Sequence, residues 1–212
     1  MADRYTLHPD NPQLRLIAEI VGRLRHGAIM LYPTDTVYAI GCDIANKAGH
    51  ERIRKIRRLP EEKPLTFVTS SLSNIADYAH ISDTSYQVLR HLVPGPYTFL
   101  LPASKLVPKL VQNPRRKTTG IRVPSNAICQ ILTKELDNPF ISMSARLPDF
   151  EDAPFIEDLF DQFDNLVDII IDDESVYRSP YSGELSTMID LTDEVPSIVR
   201  RGLGLELAEK YI

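Results

Sequence analysis

Hydroxyl and guanidinium side chains recur next to short apolar segments of this sequence. They are Thr34, Thr118, Arg122, Ser142, Ser144, Ser186, Thr187 and Arg200, and Asp35 follows Thr34. Such groups bind and orient phosphates and carboxylates, and no nucleophile is paired with a base among them. Because α/β proteins bind ligands at the ends of buried strands, the pattern predicts an anion-binding site. The alternative is that each is an ordinary turn residue, since the strand ends need not converge in space.

A basic segment provides a second candidate for anion binding. Five cations fall within seven residues, and Lys63 follows; the five are Arg52, Arg54, Lys55, Arg57 and Arg58. At about 100° per residue they spread around a helix, so they do not all face one ligand. The segment is either a solvated charged face or a helix from which a subset reaches a phosphate or an RNA backbone. A second cluster, Arg115 to Lys117, precedes Thr118.

Charge is distributed unevenly along the 212 residues. Between Asp149 and Glu174 there are 11 acidic residues and no Lys or Arg, so the rest of the chain carries +6 although the net charge is −5. A cationic body suits an anionic partner such as ATP or RNA. An acidic surface helix with solvated faces is the alternative explanation of the acidic stretch.

Several common sites and segments are missing from the sequence. It contains neither of the two common glycine-rich phosphate loops, no nucleophile elbow and no zinc-protease motif. No apolar run is long enough to span a bilayer, and the N-terminus shows no signal-peptide core. Cys42 and Cys129 fit buried free thiols rather than a disulfide framework or a zinc site. We expect a cytoplasmic protein with no membrane partner and no protein-held metal.

Apolar periodicity predicts alternating helices and strands, hence a single α/β domain over 1–212. A first helix over 11–27 would be capped by Asn11, with Pro12 in its first position and Gly27 ending it. The other predicted helices are 47–59, 72–79, 83–92, 125–136 and 154–163. The predicted strands are 28–32, 65–69, 97–101, 120–123, 140–144, 167–171, 187–191 and 198–200. A loop around 173–185 is predicted to be mobile.

Seven segments together resemble the YrdC-like family of L-threonylcarbamoyladenylate synthases. They are YPTDTVYAIGCD (32–43), RRLPEEKPLTF (57–67), PGPYTFLLPA (94–103), TTGIRVPSNA (118–127), SMSAR (142–146), GELSTMIDLT (183–192) and IVRRG (198–202). The resemblance covers nearly the whole chain. It implies a twisted, open α/β sheet with helices on its faces and a large electropositive cleft. It also implies formation of threonylcarbamoyl-adenylate from L-threonine, bicarbonate and ATP, with Mg²⁺, for modification of adenosine 37 of tRNA.

The resemblance also implies a role for each matching residue. Thr34, Arg122, Ser142 and Ser186 would bind the amino-acid substrate, with Arg122 on its carboxylate. Arg57, Lys63, Thr118, Ser144 and Arg200 would contact the adenylate or the phosphates of ATP. Arg57, Lys63, Ser144 and Arg146 form the candidate catalytic group.

Two motifs depart from the pattern of active synthases. In the ungapped alignment Arg57 stands at the Lys and Leu59 at the Arg of a K-x-R motif; using Lys55 and Arg57 instead requires a two-residue insertion. Ser144 keeps the Ser of an S-x-N motif, but Arg146 replaces its Asn. These departures, with HPDNPQ near the N-terminus, resemble the YciO branch.

Two functions follow from these departures. The first is a threonylcarbamoyl-AMP synthase of reduced activity, in which Arg146 replaces the cation lost at Leu59. The alternative is a non-catalytic protein that binds nucleotide or double-stranded RNA and keeps the cleft without the reaction. RNA, tRNA or tRNA-modification proteins would be its macromolecular partners.

Overall fold

The computed structural model describes residues 1–60, 63–148, 155–173 and 183–212. In these ranges ten strands form one mixed sheet, in the order β1-β8-β2-β3-β7-β4-β6-β5-β9-β10. The strands are β1 (Asp3–Leu7), β2 (Met30–Tyr32), β3 (Ala39–Gly41), β4 (Thr66–Val68), β5 (Tyr97–Pro102), β6 (Thr118–Arg122), β7 (Phe140–Ser144), β8 (Ile169–Asp173), β9 (Thr187–Asp190) and β10 (Ser197–Arg200). The helices are α1 (Leu14–Arg25), α2 (Lys47–Ile56), α3 (Leu72–Tyr78), α4 (Asp83–Leu92), α5 (Ala127–Leu136), α6 (Ile156–Phe163) and α7 (Leu205–Ala208).

Helices cover the sheet unequally on its two faces. On one face Phe67, Phe99 and Ile121 belong to a large apolar core that also contains the inward residues of α2, α3, α4 and α6. On the other face Tyr32 and Phe140 pack with α1 and α5 in a smaller core. Alternate residues of a strand point to opposite faces, so each central strand contributes to both sides.

Beyond α1 and α5, small polar residues replace the apolar ones on this second face. Thr66 of β4, Gly120 of β6, Thr98 of β5 and Ser142 of β7 line an open pocket there. The intervening residues Phe67, Ile121, Phe99 and Ile141 point into the large core. The same strands therefore form the floor of the pocket and anchor it to the best-packed part of the molecule.

Most predicted elements occur close to their predicted positions, and the α/β fold is confirmed. Strand 140–144 has the predicted bounds, and helix 83–92 does as well. Strands β1 and β3 and helix α7 were not predicted. Strand β1 alternates buried Tyr5 and Leu7 with exposed residues over only five positions, and β3 has three residues. Such short segments carry too little periodicity to be detected in a sequence.

Two predicted helix ends were wrong. Helix α1 begins at Leu14 after Gln13, not after Asn11, because the preceding residues form a turn. In this turn the His8 ring accepts from the Asn11 backbone N–H, and the Gln13 side chain accepts from the His8 N–H.

Helix α2 ends at Ile56 rather than at residue 59. Arg58 adopts a left-handed conformation with φ of 47°, and the N–H of Leu59 donates back to the carbonyl of Arg54. This geometry closes a helix C-terminus. Three features of the sequence analysis fall partly outside the described residues. They are most of the mobile loop predicted at 173–185, the first residue of the helix predicted at 154–163, and part of the acidic stretch 149–174.

Candidate functional site

The open pocket on the second sheet face has a volume of about 410 Å³. Five cationic side chains line it: Arg57, Lys63, Arg122, Arg146 and Arg200. Hydroxyls of Thr66, Thr98, Ser142, Ser144 and Ser186 complete its polar surface. Its described lining residues include no Asp or Glu. The size is within the range of small-molecule sites, and the side chains are those that bind anions.

The arginines of the pocket come from distant parts of the chain and influence one another. Burial lowers the pKa of Arg57, and the charge of Arg146 lowers it further. Burial also lowers the pKa of Arg200, with contributions from Arg122 and then Arg146. Guanidinium groups stay protonated in proteins, so the pocket concentrates positive charge. A bound anion would reduce the repulsion between these groups. Thr66 pairs with both Gly120 and Ser142, and from there Arg122 and Ser144 lie in opposite directions along the floor of the pocket. The arginines therefore form a row with Arg122 at one end and Arg57, which contacts Ser144, at the other.

Arg57 and Arg146 form one end of this row. Arg57 is the C-cap of α2, and its Nη2 donates to Ser144 Oγ at 3.4 Å. Its Nε is buried and has no hydrogen-bond partner among the described residues. Arg146 Nη2 donates to the carbonyl of Gly183 at 2.9 Å. Leu59 packs against the large core instead of lining the pocket.

Arg122 forms the opposite end and is already paired within the protein. Its Nη2 lies 2.6 Å from Asp35 Oδ1, and the two side chains are only 9% and 8% exposed. The same Nη2 donates to Thr36 Oγ1 at 3.1 Å. The Nε of Arg122 is buried and has no hydrogen-bond partner among the described residues. The Nη2 of Arg122 is therefore held by the turn after β2, and its Nε has no partner in the described protein.

Hydroxyl groups between these ends are fixed by further contacts. Tyr32 Oη donates to Ser142 Oγ at 2.5 Å, so the Ser142 hydroxyl can donate to a ligand. Ser186 Oγ lies 2.8 Å from Thr98 Oγ1 and accepts from Arg200 Nη2 at 2.9 Å. Arg200 also donates to the backbone carbonyl of Ser186 through both Nε and Nη2.

Eight of the ten predicted site residues line the pocket, and Thr34 and Thr118 do not. Thr34 Oγ1 donates to the Val37 carbonyl and lies 3.0 Å from the hydroxyl of Thr36, which contacts Arg122. Thr118 is buried on β6, on the same face as Gly120 and Arg122. The roles predicted for the ten residues remain predictions.

The sequence did not point to Tyr32, Thr36, Thr66 or Thr98 as part of the site. Thr36 lies in the predicted polar turn and Thr98 in the PGPYT segment, but single hydroxyls carry no signal of their own. Tyr32 lies in an apolar segment and is a buried core residue, so nothing in the sequence marks it as part of a site. Its hydroxyl reaches Ser142 only because β2 lies near β7 in the fold.

Two other cations of α2 are engaged in contacts elsewhere. Arg52 pairs with Asp168 through two Nη1 contacts of 3.0 and 2.7 Å. Arg54 donates to the carbonyls of Pro60, Lys63 and Leu110, which connects α2 to the loop that carries Lys63. Of the five clustered cations, Arg57 is the one that lines the pocket.

The described ranges contain neither a metal-binding cluster nor a membrane-spanning helix. No group of three or more His, Cys, Asp and Glu side chains there could hold a metal ion. None of the described helices combines the length and hydropathy that crossing a bilayer requires. Cys42 and Cys129 are both buried and free, as predicted.

The fold and site define an open-sheet α/β protein with a cationic pocket. A protein-family model described as "Telomere recombination", covering Sua5, YciO and YrdC proteins, matches residues 22–202. The chain belongs to this family, as predicted.

Individual relatives support the predicted YciO-like branch. The chain is 39% identical to the uncharacterised protein YciO of Escherichia coli over 205 residues, which is 96% of this chain and 97% of that protein. Against the crystal structure of E. coli YciO the TM-score is 0.88 at 38% identity, again covering 96% and 97% of the two chains.

Proteins named for the synthase reaction are more distant. The threonylcarbamoyl-AMP synthase of Vibrio vulnificus is 29% identical over 158 residues, 73% of this chain and 84% of that protein. The crystal structure of Pyrococcus abyssi Sua5 complexed with L-threonine gives a TM-score of 0.87 at 26% identity, covering 99% of this chain and 60% of that chain.

Proposed function

We propose that this chain forms threonylcarbamoyl-AMP from L-threonine, bicarbonate and ATP and releases pyrophosphate. The observation that carries the proposal is the convergence of Arg57, Arg146 and Arg200 with Lys63 on one pocket that has no described carboxylate. Relatives named threonylcarbamoyl-AMP synthase, and a Sua5 structure that contains L-threonine, support it. Such a reaction needs positioning and charge stabilisation rather than a covalent intermediate.

The phosphates of ATP would lie along Arg57, Arg146 and Arg200, with Lys63 beside them. Arg57 has an unpartnered buried N–H. Burial, and after it the like charges of neighbouring arginines, lowers the pKa of Arg57 and of Arg200, so a bound oligoanion would offset this cost of holding them charged. The Ser144 hydroxyl, next to Arg57, would contact the same group. Thr118 stays a predicted contact of the adenylate.

The amino acid would lie at the Arg122 end of the pocket. The Nε of Arg122 would donate to the carboxylate of threonine, and the hydroxyls of Ser142 and Ser186 would orient the rest of the molecule. Thr34 would act through Thr36, since its hydroxyl is used within the turn. In this arrangement the amino group of the substrate would lie between its carboxylate site and the phosphate site.

Magnesium would enter with ATP. The described pocket residues supply cations and hydroxyls and no carboxylate, so Mg²⁺ would be held by phosphate oxygens and water. When bound, the ion neutralises charge on the leaving pyrophosphate. The product would serve tRNA modification in the cytoplasm, with tRNA-modification proteins as partners.

One observation favours the alternative of a nucleotide- or RNA-binding protein without the reaction. Leu59, at the position of an Arg in active synthases, packs against the large core. Arg146 therefore has to supply the positive charge that is missing at position 59. If Arg146 did not supply it, the pocket would bind nucleotide without catalysing the reaction.

The first test is an assay of the purified protein with ATP, Mg²⁺, L-threonine and bicarbonate. Pyrophosphate release and the adenylate product are measured by chromatography, with each substrate omitted in turn. We expect product that depends on threonine and bicarbonate and is lost in Arg57→Ala. The matched control is Arg201→Ala, because Arg201 is exposed and pairs with Glu209. Absence of product, with measurable ATP or RNA binding, would contradict the synthase and support the alternative.

A further inference from the structure

The ring of Tyr32 lies across a neighbouring strand on the second face of the sheet. Tyr32 is on β2, and the Ser142 hydroxyl that it contacts is on β7, with β3 between the two strands. On this face β3 carries only the small residues Ala39 and Gly41. A Cβ at Gly41 would lie 3.0 Å from Tyr32 Cε1, so the absence of a side chain there leaves space for the ring.

Packing holds the Tyr32 hydroxyl in one place. The side chain is fully buried, and its ring meets that of Phe140 edge to face, with the centroids 5.2 Å apart. Because a tyrosine hydroxyl moves only with its ring, Oη is held 2.5 Å from Ser142 Oγ. Tyr32 therefore belongs to the smaller core through its ring and reaches the pocket through its contact with Ser142.

The direction of this hydrogen bond follows from burial. Among the described residues, Ser142 Oγ is the acceptor that the Tyr32 hydroxyl has. If Ser142 donated instead, the phenol proton would be shielded from water and would have no acceptor, which is costly. Burial also raises the pKa of Tyr32, which keeps the phenol protonated and able to donate. Ser142 Oγ therefore accepts, and its own proton points elsewhere.

The proton of Ser142 has the pocket in front of it. In the described parts of the chain this hydroxyl donates to no other group, and Ser142 lines the pocket beside Thr66, its partner on β4. The hydroxyls of Thr98 and Ser186 differ in this respect, because they lie 2.8 Å apart and either can donate to the other. The role of the Ser142 hydroxyl is thus set by the residue behind it.

We infer that Tyr32 is a positioning residue for the pocket: by donating to Ser142 it directs the proton of the Ser142 hydroxyl to an acceptor oxygen of the bound ligand. The presence of a substrate at Ser142 rests on the proposed function, whereas the direction of the hydrogen bond between Tyr32 and Ser142 does not. A carboxylate, carbonyl or phosphate oxygen would fit this place. Its hydrogen bond from Ser142 would be strengthened by the one behind it, because hydrogen bonds in a chain polarise one another.

A double-mutant cycle measures whether Tyr32 acts through Ser142. Affinities for ATP and for L-threonine are measured by calorimetry on the parent, Tyr32→Phe, Ser142→Ala and the double variant Tyr32→Phe/Ser142→Ala. Phenylalanine keeps the ring and removes only the hydroxyl. The matched control is Tyr5→Phe, because Tyr5 is also a core tyrosine and its hydroxyl donates to Glu19 at 2.9 Å, but it lies on β1 at the edge of the sheet.

Ser142→Ala should lower the affinity for the ligand that Ser142 contacts about 10- to 100-fold, the loss of one hydrogen bond to a charged group. Tyr32→Phe should lower the affinity for the same ligand about 3- to 10-fold, because the Ser142 hydroxyl is then free to turn away. When Ser142 is already alanine, Tyr32→Phe should change the affinity by less than about twofold. Tyr5→Phe should bind both ligands as the parent does.

The inference is overturned if Tyr32→Phe has no effect on affinity, or if it causes the same loss with and without the Ser142 hydroxyl, as a purely structural role would. An unchanged affinity for both ligands in Ser142→Ala, or a parent that binds neither, overturns it as well. The proposed function fails separately: a parent that binds ATP or threonine but forms no product is not a synthase, and the cycle still decides the role of Tyr32.

If Tyr32→Phe does not fold, a measurement without this variant tests the same bond. The parent and Ser142→Ala are labelled with ¹³C at the ζ carbon of tyrosine, whose chemical shift reports the hydrogen bonding of the hydroxyl. One resonance should move in Ser142→Ala, and the same resonance should move when ATP or L-threonine is added to the parent. Resonances that stay in place in either experiment would overturn the inference.

Discussion

At the scale of single residues, Arg146 is where this chain differs most in charge from the S-x-N pattern. It lines the pocket together with Arg57 and Arg200, and its positive charge adds to the burial that lowers the pKa of both. Arg146 adds a cation to the pocket, and this cation would replace the Arg that active synthases carry at the position of Leu59. The substitution is therefore compensatory in the proposed mechanism.

Arg146→Ala should lower the rate of product formation on the order of 10²- to 10³-fold, the cost of losing one transition-state charge contact. The measurement is kcat/KM for ATP at saturating threonine and bicarbonate. Arg201→Ala, with its exposed side chain, should keep the parent rate. A rate in Arg146→Ala equal to or above the parent would show that Arg146 does not act on the phosphates.

At the scale of elements, β4 and β6 form a floor that leaves no room for larger side chains. Gly120 pairs with Thr66, and a Cβ at Gly120 would lie 2.8 Å from Thr66 Oγ1. Both residues face the pocket, while Phe67 and Ile121 beside them are fixed in the large core. The floor therefore cannot move away to admit a methyl group without disturbing that core.

Gly120→Ala should destabilise the protein by about 1–3 kcal/mol, as expected for overpacking, and should weaken ATP binding. Urea denaturation gives the free energy of unfolding, and calorimetry gives the affinity. In the double variant Gly120→Ala/Thr66→Ala the contact is removed, so much of the stability should return. Two additive losses in that variant would mean that the close approach is not the cause.

At the scale of the whole molecule, α2 connects the large core, the pocket and the segment that leads into β8, the strand next to the sheet edge. Ile53 packs in the core, Arg57 lines the pocket, and Arg52 pairs with Asp168 just before β8. Asp168 also accepts from the backbone N–H of Ile29, before β2. Displacement of α2 would therefore affect the site and the fold together.

His50, on α2, makes this connection sensitive to pH. It is 1% exposed, and burial lowers its pKa below the ordinary value of 6.5. Because the pKa of His50 is lower in the folded protein, the unfolded chain binds the proton at a higher pH than the folded protein does. The contribution to stability is therefore complete above about pH 6.5 and is lost as the pH falls toward the folded-state pKa.

We expect His50→Gln to lose less stability than the parent between pH 7.5 and pH 5.5. Urea denaturation at the two pH values gives the difference in the free energy of unfolding. His26→Gln is the control, because His26 is exposed. Equal differences for the parent and His50→Gln would exclude His50 as the source of the pH dependence.

The sequence by itself determined the family, the α/β class, most elements and most of the candidate site. Helical spacing placed the buried residues Ile17, Ile20, Val21 and Leu24, and apolar runs placed the central strands. These signals are local, because each depends on the side chains of one short segment. The motifs likewise named eight residues that line the pocket.

Only the tertiary structure decided how those residues are used. Arg122 was predicted to bind the carboxylate of the substrate, and the structure shows it paired with Asp35, 87 positions away. Arg52 and Arg57 are close in sequence, yet one binds Asp168 and the other faces the pocket. The partner of a side chain depends on strand order and register, which bring distant segments together, and no local pattern contains that information.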